Sequence, residues 1–200
     1  MDHPFVQRMM ERKYYAFASD YIRLYALEKF GGLYLDADME IVSSPEPLLT
    51  APCVTAFLSN QNKINKNSVA LGFLGACPAH SWIQELRELY GPTTPAVMNT
   101  TLATESLRRR GLSRHRESGT QFEYIDLGMI RIYHCDYLYP QREGSRFSVQ
   151  PRTVAIHHGL AQWGGPQDPF PWWKKIYDLR LDRKILRPVE GWIRRARSKA

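Results

Sequence analysis

Two aspartates one residue apart, Asp36 and Asp38, follow the apolar run Leu33-Tyr34-Leu35. In an extended chain, residues two apart share a face, so both carboxylates point the same way at the end of a buried strand. Two hard oxygen ligands on one side suit Mg²⁺ or Mn²⁺, with coordination positions left for phosphate oxygens and water. An Asp-x-Asp triplet is a weak signal by itself. Here it follows Gly31-Gly32 and a helical pattern that carries a second pair of charges, Asp20 and Arg23. Those two stand three residues apart and so share a helix face. On a surface such a pair contributes little. Asp20, however, sits among Phe17, Ala18, Tyr21 and Ile22, on or beside the apolar face, where charge is costly to bury and should have a use. Far downstream, Val154-Ala155-Ile156 ends in His157-His158, with Trp163 a few residues on. Strand alternation lets only one of the two imidazoles face a given site.

The elements that must hold these groups are legible from periodicity. Tyr14, Phe17, Ala18, Tyr21, Ile22, Tyr25 and Leu27 recur at steps of three and four, which predicts an amphipathic helix over 11–30 stopped by Gly31-Gly32. A short strand over 33–35 follows, extended structure resumes at 40–42, and 43–47 is a loop with two prolines. Residues 54–58, 69–74, 130–133 and 153–157 read as strands. Pro78 opens a predicted helix that runs through Trp82, Ile83, Leu86 and Leu89 to Gly91, and a second helix is expected around 102–107. An exposed loop is expected over 108–117 and an irregular segment over 164–171. Alternating strands and helices predict an α/β sheet with ligand chemistry at the strand ends.

Charge narrows the function classes. The net charge is +7, but ten of the 27 Lys and Arg and only three of the 20 Asp and Glu lie in 174–200, so this tail alone carries +7. The remaining residues are balanced. With basicity confined to the tail and no aromatic-basic strand pattern, a nucleic-acid binder is disfavoured. The tail reads as an amphipathic contact for a membrane surface or partner, or as a solvated terminal helix. Three cysteines, Cys53, Cys77 and Cys135, lack metal-type spacing and point to a reducing cytosol rather than a disulfide framework. No apolar run reaches bilayer length. The expected organisation is one domain over 1–173 plus the tail over 174–200, in the cytoplasm or peripheral at the inner membrane face.

Ala18-Ser19-Asp20-Tyr21-Ile22-Arg23-Leu24, followed by Phe30-Gly31-Gly32-Leu33-Tyr34-Leu35-Asp36-Ala37-Asp38, resembles the DXD glycosyltransferases of family 32, which include capsular polysaccharide transferases and mannosyltransferases and share this block with the clostridial toxin glycosyltransferases. The resemblance implies a GT-A-type, Rossmann-like α/β fold with a mixed sheet flanked by helices. It also implies a divalent cation, Mn²⁺ or Mg²⁺, a nucleotide-sugar donor, and transfer of a hexose to a glycan or lipid-linked acceptor with retention of configuration. Carried over, it assigns catalytic roles to Asp20, Arg23, Asp36 and Asp38. Ser19, Asp20, Arg23, Tyr34, Asp36 and Trp163 would contact the donor, and Asp36 and Asp38 would hold the metal with His157 or His158. The spacing to Trp163 favours His158. Gly91-Pro92-Thr93 resembles a family element that shapes the sugar or acceptor pocket.

Two departures stand out. The family pattern begins with a strand and helices ahead of the Ala18 block, and that first strand is absent here. The resemblance therefore implies an open sheet edge, self-association, and either a shortened enzyme or a non-catalytic remnant serving as a binding or assembly module. In addition, Leu71-Gly72 stands where relatives carry an Asn ahead of a Gly-His-Pro strand end, so a donor-sugar contact is expected to be missing, with Asn67 a weak substitute.

Overall fold

A computed structural model describes residues 2–58, 68–112, 122–143 and 146–159. Asn67, Trp163, the segment 164–171 and the basic tail 174–200 lie outside the described residues, as does most of the loop expected over 108–117.

The chain opens with helix α1 (Pro4–Glu11) and helix α2 (Tyr15–Phe30), then strands β1 (Gly32–Leu35) and β2 (Met39–Ile41). A 3₁₀ turn at Glu46–Leu48 leads to β3 (Cys53–Phe57) and β4 (Val69–Ala76), then α3 (Ser81–Glu88) and α4 (Asn99–Arg109). The remainder comprises β5 (Tyr124–Leu127), β6 (Ile130–Tyr133), α5 (Cys135–Leu138), the two-residue strands β7 (Arg142–Glu143) and β8 (Arg146–Phe147), and β9 (Ala155–His157). Five strands form a mixed sheet in the order β1-β4-β3-β6-β5, in which β3 and β6 run parallel and the other neighbours antiparallel. β2 and β9 form a separate antiparallel ribbon, and β7 and β8 another. The α/β class with a mixed sheet flanked by helices is thus observed. No described helix is long and apolar enough to cross a membrane.

The helix expected over 11–30 is α2, which starts only at Tyr15, and α1 precedes it as a separate helix. Lys13 adopts a positive φ of 60° in the turn at 12–14, which breaks the pattern before Tyr15, and Pro4 opens α1 at a position where its missing N–H costs nothing. α2 buries Phe17, Tyr21, Leu24 and Leu27 along one stripe against the sheet. Pro78 does not open α3. That helix starts at Ser81, capped by the His80 ring, whose Nδ1 accepts from the Trp82 amide at 3.3 Å. Trp82 is fully buried, a contribution on the order of 2–3 kcal/mol, and its indole N–H donates to Ser106 Oγ on α4 at 2.9 Å.

Alternation divides the core between the two sheet faces. Cys53, Phe57, Val69 and Leu71 pack with α1 to α4, while Val54, Ala56, Ala70 and Phe73 pack with α5 and β9. β4 is not a regular strand. Val54 pairs with Gly75 but Ala56 pairs with Ala70, which leaves residues 71–74 of β4 as a bulge. Backbone groups released there find side chains: Thr55 Oγ1 donates to Ala70 O and Phe73 O, and the Phe73 amide donates to Tyr139 Oη at 2.8 Å.

Gly31 ends α2 at φ 64°, and a Cβ there would lie 2.8 Å from the backbone nitrogen of Pro78. Both the left-handed backbone and the close approach exclude a side chain. Gly31→Ala should therefore destabilise by about 2 kcal/mol or more, lowering Tm by roughly 4 °C or more in a thermal melt. An unchanged Tm would show that the α2–β1 corner is not tightly built.

Candidate active site and metal centre

The site begins at the β4 bulge. Asp36 is the first residue past β1, and its amide donates to Gly72 O at 2.7 Å, so the carboxylate lies against the bulge. A Cβ on Gly72 would stand 2.6 Å from Asp36 Oδ2. The glycine at the departure from the family pattern thus leaves the space that Asp36 fills. Next to it, Leu71 O accepts from Arg23 Nη1 at 2.9 Å.

Arg23 is the centre of this side of the site. Its side chain is 4% exposed, and Nη2 reaches Asp20 Oδ1 at 2.8 Å and Asp36 Oδ1 at 3.2 Å. Nη2 also meets Ser19 Oγ at 3.3 Å, and Nε meets Ser19 O at 3.4 Å. The guanidinium carbon lies 4.4 Å from the centroid of the Tyr34 ring. The Tyr34 hydroxyl donates to Asp36 Oδ1 at 2.9 Å. The guanidinium therefore faces inward and holds two carboxylates, a bulge carbonyl and an aromatic face in one cluster. Burial works against its charge, and the two carboxylates outweigh that penalty. Burial also pushes the Tyr34 hydroxyl up, keeping it a protonated donor to Asp36.

Asp20 receives a further hydrogen bond that periodicity does not announce. Asn99, the first residue of α4, donates from Nδ2 to Asp20 Oδ1 at 2.5 Å across 79 positions of sequence. Burial pushes the Asp20 carboxyl up to about 7, against the opposing pulls of Arg23 and the Asn99 amide, and the charge of Asp36 adds to the rise.

The two aspartates converge by a turn rather than by strand alternation. β1 ends at Leu35, and Met39 N donates to Asp36 O at 3.0 Å, which closes a turn through Ala37 and Asp38. Asp38, on the far arm, meets His157 Nε2 at 3.2 Å through Oδ1. Asp36, Asp38 and His157 each offer one ligand atom, all within 4.8 Å of one another. The side chains of Asp36, Asp38 and His157 are 27%, 18% and 27% exposed, so the cluster is open on one side. The imidazole that reaches Asp38 is that of His157. His158, which the spacing to Trp163 favours, turns to Glu40 at 2.8 Å, while its amide donates to Asp38 O at 3.0 Å. Tyr139 sits edge-on to the His157 ring at 5.7 Å and Phe147 edge-on to His158 at 5.4 Å.

A carboxylate pair plus an imidazole, partly exposed and closely set, fits a divalent transition ion such as Mn²⁺. Residues 1–55 match a family model described as a glycosyltransferase sugar-binding region containing the DXD motif. The matched region holds Asp20, Arg23, Tyr34, Asp36 and Asp38, and it supports a DXD-containing glycosyltransferase family. A comparison with curated proteins finds no match. Gly72, Asn99, Glu40 and Tyr139 complete the constellation. Of these, only Gly72 stood out in the sequence, and there as a loss rather than as a requirement.

Two outcomes follow. Gly72→Ala should push Asp36 off the bulge and weaken Mn²⁺ binding at least tenfold by calorimetry, with α-helical circular dichroism retained; parent affinity would sever Asp36 from the metal. Asp20 is the second case. Its folded value of about 7 lies above the ordinary 3.8, so the folded state holds the extra proton between those values. Stability from this group is present below about pH 4 and is withdrawn as pH rises through 7. In thermal melts from pH 4 to 8 without added cation, Asp20→Asn should flatten that decline. Parallel slopes for parent and variant would show that Asp20 titrates normally.

Proposed function

We propose that this chain is a metal-dependent glycosyltransferase of GT-A type, related to family 32, that moves a hexose from a nucleotide-sugar donor to a glycan or lipid-linked acceptor with retention of configuration. The observation that carries the reading is the junction of two clusters through Asp36. One of its oxygens joins the buried Arg23–Asp20 pair, and the same carboxylate stands within ligand range of Asp38 and His157. Sugar recognition and cation binding thus share one side chain.

Asp38 and His157 would hold the cation with Asp36. When bound, that cation stabilises the negative charge that develops on a departing diphosphate. Arg23 acts from behind: it fixes Asp36 and Asp20 at set positions, so their remaining acceptor capacity is oriented toward sugar or ribose hydroxyls before the donor arrives. Tyr34 orients Asp36 from the other side. Retention through a front-face route, in which the leaving group assists the acceptor, asks for no further carboxylate nucleophile. The basic tail supports placement at a membrane surface carrying a lipid-linked acceptor.

Calorimetry with a panel of nucleotide-sugars and Mn²⁺ tests the donor class, and Asp38→Ala tests the centre. Asp38→Ala should lose Mn²⁺-dependent nucleotide binding by tenfold or more, about 1.4 kcal/mol at least, while Tm moves by no more than about 2 °C. A variant that binds Mn²⁺ and nucleotide as the parent does removes Asp38 from the site. Donor hydrolysis by the parent separates the enzyme from its rival, a non-catalytic assembly module built on the same carboxylates: the module binds the donor and leaves it intact.

A further inference from the structure

We propose that His134, Cys135 and Asp136, in the turn that follows β6, form a second metal site, one suited to Zn²⁺. It shares no residue with the cluster of Asp36, Asp38 and His157 and does not depend on the donor reading. The three groups each offer one ligand atom, all within 4.8 Å of one another. Cys135 Sγ lies 3.8 Å from His134 Nδ1 and 3.8 Å from Asp136 Oδ1, and Nδ1 lies 3.2 Å from Asp136 Oδ2. Tetrahedral zinc bonds sulfur at about 2.3 Å and nitrogen or oxygen at about 2.0–2.2 Å, which sets its ligands roughly 3.4–3.6 Å apart. The trio needs only small side-chain movements to close on an ion.

Three consecutive side chains meet because the backbone changes direction here. His134 is extended, at φ −60° and ψ 148°, and Cys135 opens α5. The His134 ring folds over the turn, and its Nδ1 accepts from the Asp136 amide at 3.3 Å. A ring nitrogen that accepts carries a lone pair and no proton, which is the form that binds metal. It then has no proton to give Asp136 Oδ2, so two acceptors face each other at 3.2 Å with the thiol beside them. A cation among them resolves that opposition. Arg152 Nη2 holds Asp136 Oδ2 from the other side, which leaves Oδ1 toward the sulfur. Such an outer partner orients a ligating carboxylate. The guanidinium charge works against a cation, and the thiolate that forms on binding offsets it, since Asp136 and Cys135 then bring two negative charges to the ion. The side chains of His134 and Asp136 are 25% and 23% exposed, so water can reach the fourth position. A thiolate favours zinc over harder ions, whereas the two carboxylates of the first cluster do not.

The test uses the whole chain with Co²⁺, which occupies zinc sites and reports sulfur ligation through a thiolate-to-metal charge-transfer band in the near ultraviolet. The parent should show that band, and added Zn²⁺ should bleach it. Cys135→Ser should abolish it, while Cys77→Ser, at the exposed cysteine just past β4, should keep it in full. Asp38→Ala should also keep it, because the first cluster holds no sulfur. His134→Asn retains an oxygen that can cap the Asp136 amide and removes the nitrogen ligand. Its Co²⁺ affinity should fall at least tenfold, with far-ultraviolet circular dichroism unchanged. If the parent shows no band, a proton on the ring rather than a metal joins His134 to Asp136, and the site falls. A band that survives Cys135→Ser, or one lost with Cys77→Ser, overturns the assignment as well.

Discussion

One buried guanidinium organises most of the described structure. Arg23 is almost wholly withdrawn from solvent, and taking a charge out of water costs several kcal/mol unless it is compensated. Here the compensation comes from Asp20, Asp36, the Leu71 carbonyl and the face of Tyr34, contributed by α2, the β1 end and the β4 bulge. Each partner is positioned by something else. Asp20 is gripped by Asn99 of α4, Asp36 rests in the space left by Gly72, and the bulge is pinned by Thr55 and Tyr139. Removing one member strands the others, and a stranded buried charge is far more costly than the pair is favourable. Two carboxylates compete for one cation inside the protein, which leaves the cluster with surplus negative charge. That surplus adds to the effect of burial on Asp20, and through Asp36 it extends to the partly exposed cluster with Asp38 and His157.

The part of this that sequence discloses is local. Apolar steps along α2 place Asp20 and Arg23 on one face, Gly31-Gly32 marks the helix end, and strand β6 falls over the very residues its pattern predicts. What escapes is whatever depends on backbone irregularity or long-range contact. Asp36 and Asp38 read as neighbours on a strand because alternation assumes extended geometry; the turn through Ala37 brings them together by a different path. Lys13, at positive φ, separates α1 from α2 and moves the start of the expected helix to Tyr15. The bulge in β4 cannot be seen in a run of small and apolar residues, so the function of Gly72 could not be inferred from its type. His157 and His158 are chemically identical, and only the register of β2 against β9 tells them apart.

The Gly91-Pro92-Thr93 segment shows how a weak sequence element acquires a mechanical role. Two donors of Arg8 on α1 reach the carbonyls of Pro92 and Thr94. Thr94 Oγ1 closes the turn, accepting from Gly91 N at 2.8 Å and donating to Leu89 O at 2.9 Å. The chain runs on from this turn to α4, whose first residue is Asn99. Asn99 bonds the Asp20 carboxylate, Asp20 pairs with Arg23, and Arg23 reaches Asp36. The bonds from Asn99 to Asp20 and from Asp20 to Arg23 are buried and directional, so a displacement of the start of α4 by even a fraction of an ångström is felt at the guanidinium that positions Asp36.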